Sequence, residues 1–190
     1  MTDIKLEDEK LDPRIRRTRN YIQEAFQSLL EEKSFKSITV REITERAEVN
    51  RATFYAHHKD KYELLNETLR TIFQEELEHR ALNVCHYSQA NLRALVMTVC
   101  EFIRDSSSNC KTVDSQFELI VENQVRQQIQ ELLELWLEKM AAAGDRKSIA
   151  VATSWTIYGL AEQWGRAERK EDLEAYADRV LPLVRANLPG

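Results

Sequence analysis

Arg51, Thr53, Tyr55 and His57 stand within the seven positions RATFYAH, and each side chain has chemistry suited to a nucleic acid. An arginine grips guanine O6 and N7 with two parallel N–H donors, and a threonine bonds a base edge or sets its methyl group against thymine. Tyr55, with Thr39, Arg41 and Lys61, forms a second set suited to phosphate oxygens, contacts that fix docking register without reading bases. None of these groups discriminates one base pair from another unless a rigid frame holds it at the spacing of a groove. The neighbouring segments must supply that frame.

Upstream, Thr39 followed by Glu42 has the spacing of a capping box, and Val40, Ile43 and Ala47 then share one side of a helix only two turns long. Ala47, Glu48 and Val49 form a three-residue joint, and Asn50 caps the next short helix, expected from Arg51 to about His58. Val49 of the joint and Phe54 of the helix point inward and hold the pair, leaving Arg51, Thr53, Ala56 and His57 to project outward. A longer helix precedes the pair: Pro13 suits its first turn, Ile15, Ile22, Ala25, Phe26, Leu29 and Leu30 keep a stripe as far as Lys33, and Arg14, Arg16, Arg17 and Arg19 cluster near its start. Asp60 can cap a fourth helix carrying Leu64, Leu65, Leu69, Ile72, Phe73 and Leu77. Two short helices across a tight turn, behind a basic helix, are a helix-turn-helix, whose second helix presents its N-terminal side chains to the major groove.

The segment from about Arg16 to Leu65 resembles the DNA-binding domain of the tetracycline-repressor (TetR) family, in its AcrR-like branch. The likeness is carried by Phe26, Leu29, Leu30, Phe35, Ile38-Thr39-Val40, Ile43, Ala47 and Val49-Asn50-Arg51-Ala52-Thr53-Phe54-Tyr55, with His57, Asp60, Lys61 and Leu64-Leu65. The resemblance implies base or backbone contact from Arg51, Ala52, Thr53, Tyr55, Ala56 and His57, and phosphate contact from Thr39, Arg41 and Lys61. Two positions depart from the family pattern. Glu48 stands where the family usually has glycine, so the turn must tolerate a side chain. His58 stands where an apolar aromatic is common, so it either packs as a neutral ring or leaves the local core looser.

Charge follows the same division. The net charge is −5, but residues 1–12 hold two Lys and five acids, 13–61 hold eleven Lys/Arg and seven acids, and 62–190 hold fourteen and twenty. The excess of positive charge is confined to the helix-turn-helix segment, the footprint of a module that meets phosphate. With 4 Gly, 3 Pro and 31% charged residues, helices with short joints are favoured, and the expected fold class is all-α: an N-terminal three-helix helix-turn-helix domain and a larger C-terminal helical domain for ligand binding and dimerisation. The expected domains are a loose acidic tail at 1–12, the helix-turn-helix domain at 13–62 and a regulatory domain at 63–190. Later helices are expected near 90–105, 112–122, 124–142, 146–166 and 171–187.

In the C-terminal region, Phe102, Phe117, Trp136, Trp155 and Tyr158 are candidates to line a pocket for a small apolar or aromatic effector, against the plainer alternative of core packing. Helix 146–166 is apolar on two sides. One side, Ile149, Thr153, Ile157, Leu160 and Trp164, is taken with Tyr176, Val180 and Val184 of the last helix as the dimer interface, similar to the paired helices by which the family forms a four-helix interface. A single reader covers few base pairs, so a homodimer on a near-palindromic stretch of double-stranded DNA is expected.

No metal site is expected. His57 and His58 diverge around their helix, and Cys85, Cys100 and Cys110 lack ligand spacing. No cofactor loop and no arrangement of nucleophile, base and acid is recognisable, so the chain is not read as an enzyme. The polar, acidic start and the lack of a long apolar run predict a cytoplasmic protein with no membrane partner. The expected function is a repressor released from its operator by an effector. The alternative is a DNA-binding adaptor whose C-terminal lobe docks a protein without sensing a small molecule.

Overall fold

The computed structural model describes residues 12–80, 86–109, 115–167 and 171–189. The described residues form eight α-helices and one short 3-10 turn, with no strand among them: α1 (Pro13–Glu32), the turn Phe35–Ser37, α2 (Val40–Arg46), α3 (Arg51–His57), α4 (Lys61–Arg80), α5 (Gln89–Asn109), α6 (Ser115–Lys139), α7 (Arg146–Arg166) and α8 (Leu173–Arg185). The expected all-α class is the observed one. The acidic tail, apart from Asp12, lies outside the described residues, as do Cys85 and Cys110.

Local chemistry sets the helix starts. The Asp12 carboxylate accepts from the Arg14 amide at 2.8 Å and Pro13 occupies the first turn of α1, where its missing N–H would have no partner anyway. Asn50 caps α3 by accepting from the Thr53 amide at 2.7 Å, and Asp60 caps α4 by accepting from the amides of Tyr62 and Glu63 at 2.8 and 2.9 Å. Asp145 and Asp172 cap α7 and α8 in the same way. One expectation fails between 112 and 142. Instead of two helices meeting near Asn123, α6 is continuous across that position, because the Asn123 side chain accepts from Arg126 at 2.7 Å instead of turning onto the backbone.

The chain divides into two compact units. The first is Met1–Leu69 with Ser108–Val121, the second Arg70–Ser107 with Glu122–Gly190. This differs from a division at 62/63: the boundary falls inside α4, which is one uninterrupted helix with Leu64 and Leu65 already fully buried. The first unit is built on Phe35, buried and in edge-to-face contact with Phe26 at 6.2 Å and Tyr62 at 5.2 Å, with Phe117 at 6.2 Å. Ile22, Ile43 and Phe54 are likewise fully buried. In the second unit Phe73 meets Phe102 edge-on at 5.3 Å, and α7 is tied to α8 by the Tyr176 hydroxyl donating to the Leu160 carbonyl at 2.6 Å. No helix among the described residues is long and apolar enough to cross a membrane.

Candidate nucleic-acid interface

Three contacts hold α2 and α3 in place. Thr39 and Glu42 form the complete capping box, and Glu42 also takes the Lys33 ammonium. Arg46, which the sequence did not single out, joins α2 to α1 through a two-pronged pair with Glu32 at 2.6 and 2.9 Å and a bond to the Ser28 hydroxyl at 2.8 Å. Phe54, with no exposed surface, plugs α3 into the unit. Between the helices Glu48 adopts φ +54°, the left-handed conformation that the turn demands and that glycine takes without strain.

With Phe54 inward, the opposite side of α3 is set. Arg51, Ala52, Tyr55 and Ala56 are exposed, whereas Thr53 and His57 are half-buried. Arg51 has no ion-pair or hydrogen-bond partner among the described residues, so its guanidinium is available to a base edge. The Thr53 hydroxyl donates to the Asn50 cap at 3.1 Å, which leaves its methyl group and a lone pair for a ligand. The Tyr55 ring is 50% exposed and leans edge-on against Phe54 at 5.4 Å. Burial, then the neighbouring His58 and Arg19, push the His57 pKa down against the opposing pull of Glu67, favouring a neutral imidazole at its position on α3.

The second set is less uniform. Arg41 is exposed and held only by a surface pair with Glu45 at 2.7 Å, a contact weak enough to exchange for a phosphate. Thr39 donates both its N–H and its hydroxyl to Glu42, at 3.0 and 2.8 Å, so a phosphate there must displace a carboxylate. Lys61 is engaged within the fold. Its ammonium donates to the carbonyls of Phe35, Lys36 and Ile38 at 2.9, 3.1 and 2.8 Å and lies 4.6 Å from the centre of the Phe35 ring, so its three donors are spent holding the turn that leads into α2.

The candidate effector and dimer residues are dispersed. Phe117 belongs to the first unit, against Phe35, whereas Phe102, Trp136, Trp155 and Tyr158 belong to the second. Trp136 is buried with Tyr87 at 6.1 Å, Tyr158 is buried with its hydroxyl pKa pushed up to about 12 by burial and then Glu122, and Trp155 is 51% exposed under the Arg126 guanidinium at 3.7 Å. Of the dimer candidates, Thr153, Ile157, Trp164, Tyr176, Val180 and Val184 are all buried inside the protomer, and Ile149 and Leu160 are half-buried. The stripe Thr153, Ile157 and Trp164 packs within the chain. The outer side of α7 carries Val151, Ala152, Trp155 and Gly159. Cys100 is a buried thiol with its pKa pushed up to about 12 by burial.

A basic helix leading into two short helices across a left-handed turn, the second displaying polar side chains over a buried phenylalanine, defines a helix-turn-helix protein. Residues 24–68 match the family model described as bacterial regulatory proteins, tetR family. The uncharacterized HTH-type transcriptional regulator YxbF of Bacillus subtilis (strain 168) is 37% identical over 73 residues, 38% of this chain and 19% of that protein, so the chain spans about a fifth of that relative's length. Over nearly the whole chain the fold is similar to a TetR-family regulator from Streptomyces coelicolor A3, with a TM-score of 0.63, 19% identity and coverage of 90% of this chain and 94% of that one. It is also similar to a TetR transcriptional regulator from Streptococcus agalactiae 2603V, with a TM-score of 0.57, 22% identity and coverage of 90% and 95%. The tetR-family match itself covers residues 24–68, and the likeness over the rest of the chain is one of fold.

Proposed function

We propose that this chain is a sequence-specific DNA-binding transcriptional regulator, a repressor that occupies a near-palindromic operator as a homodimer and leaves it when a small-molecule effector binds. The observation that carries the reading is the outer side of α3, where Arg51, Ala52, Tyr55 and Ala56 are exposed around a fully buried Phe54. A two-turn helix held by one aromatic plug and displaying an unpaired arginine at its N-terminal end is suited to a major groove. The dimer forms through the outer side of α7. Val151 and Trp155 are exposed there, and Gly159 has open space beside its Cα, so a second helix can approach closely.

An effector is supported by polar atoms inside the second unit. Gln128, 5% exposed, has neither amide atom hydrogen-bonded, and the Thr98 hydroxyl, on a residue 1% exposed, is likewise unpartnered. Buried polar groups are ordinarily satisfied, so a mainly apolar ligand with a carbonyl or amide group would meet a need already present. It releases DNA to the extent that it prefers a geometry in which the two reading helices no longer fit successive grooves. Helix α4, which contributes residues to both units, is the proposed route.

The reading is tested by selecting bound sequences from a random duplex pool at near-physiological salt, using protein unfolded and refolded to free it of small molecules. A near-palindrome with half-sites about one helical turn apart is the expected result. Recovery of no consensus would contradict it.

A further inference from the structure

Three ionisable side chains meet at the C-terminal end of α3. Glu67 of α4 accepts a hydrogen bond from the Arg19 guanidinium of α1 at 3.0 Å on Oε2, and the same oxygen lies 3.1 Å from Nδ1 of His58. His58 is the residue that terminates α3. It is 3% exposed, its ring is 5.6 Å from that of Phe54, and neither ring nitrogen makes a hydrogen bond of full geometry, so the approach of Nδ1 to Glu67 is a close polar contact. Burial works against ionisation of Glu67, but the His58 contact and the Arg19 guanidinium outweigh it and hold the carboxyl below its ordinary range.

We infer that Glu67 is a positioning residue for base recognition: one carboxylate oxygen, shared between Arg19 of α1 and His58 at the end of α3, sets the direction in which the reading helix presents its side chains. The inference rests on the DNA-binding reading above. Helix α3 has only seven residues, so its orientation depends on its two ends and on Phe54 between them. Asn50 fixes the first end from within the helix itself, and Glu67 fixes the other from outside it. Bonds to base edges tolerate shifts of only about half an ångström, whereas phosphate contacts tolerate more. Loosening this end therefore degrades specific binding and spares non-specific binding.

The test compares Glu67→Leu, which removes both contacts at similar volume, with Glu67→Gln, which keeps an oxygen within reach of Arg19 and His58. Affinities for the selected operator and for a scrambled duplex are measured at one salt concentration, with thermal unfolding alongside. Glu67→Leu is expected to lower the ratio of specific to non-specific affinity about tenfold while leaving scrambled-duplex affinity unchanged, and Glu67→Gln to restore most of the ratio. Arg19→Gln, a second variant that leaves His58 and Glu67 in place, is expected to lower the ratio by a smaller factor. An unchanged ratio in Glu67→Leu, or equal loss on both duplexes, overturns the inference while the DNA-binding reading stands. A wild-type protein with no preference for any duplex overturns both.

Discussion

Lys61 carries a charge that a phosphate-binding surface has use for, yet its ammonium ends on three carbonyl oxygens and the face of Phe35. Those carbonyls belong to residues 23 to 26 positions earlier, so no local pattern reveals the arrangement, and a lysine beside a reading helix is naturally taken for a phosphate ligand. Lys61→Met is expected to lower stability by about 2 kcal/mol, as befits the loss of charge-assisted bonds in a half-buried site. Chemical denaturation checks this. The slope of operator affinity against salt is expected to be unchanged, and a slope shallower by about one would return Lys61 to the phosphates. Arg51 is the opposite case: its exposure and its place at the start of a short helix, which the proposed role as a reader requires, were legible from the local sequence.

At the scale of the element, caps and turns were readable because they are local: Thr39 with Glu42, Asn50 with Thr53 and Asp60 with Glu63 each lie three residues apart. Glu48 is the element-scale anomaly. At φ +54° it bears a strain that glycine avoids, so Glu48→Gly is expected to raise stability by about 1 kcal/mol after allowing for glycine's greater freedom in the unfolded chain. The midpoint of urea unfolding checks it. Loss of stability instead would mean that the side chain, exposed beside a cleft lined by Tyr21, Glu24 and Arg46, makes up for the strain. The capping box has a pH signature. The Lys33 bond, then the Thr39 bonds, bring the Glu42 pKa from 4.5 down to about 2. A carboxyl whose folded pKa is depressed stabilises above its unfolded value and loses that contribution as pH falls through the folded one. Acid unfolding is therefore expected to gain part of its slope between pH 4.5 and about 2, and Glu42→Gln to flatten that part.

For the whole molecule, the division of charge along the chain and the helical periodicity were enough to anticipate an all-helical protein with a basic N-terminal reader. Which side of α7 faces outward was not legible. Both sides are apolar, and periodicity records that a stripe is buried without saying against what; Thr153 and Ile157 proved to be interior and Trp155 exposed. Under the proposed homodimer through the outer side of α7, Trp155→Glu is expected to sediment as a monomer and to weaken operator binding at least tenfold, since one reader alone covers a half-site. An undisturbed dimer would move the interface elsewhere. Whether α3 reads base edges through Arg51 is decided by parallel selection of duplexes with the wild-type protein and with Arg51→Ala. A near-palindrome is expected for the wild type and, for the variant, loss of preference at one symmetry-related pair of positions with affinity lower by about 1–3 kcal/mol. An identical consensus from both proteins would contradict base reading through Arg51.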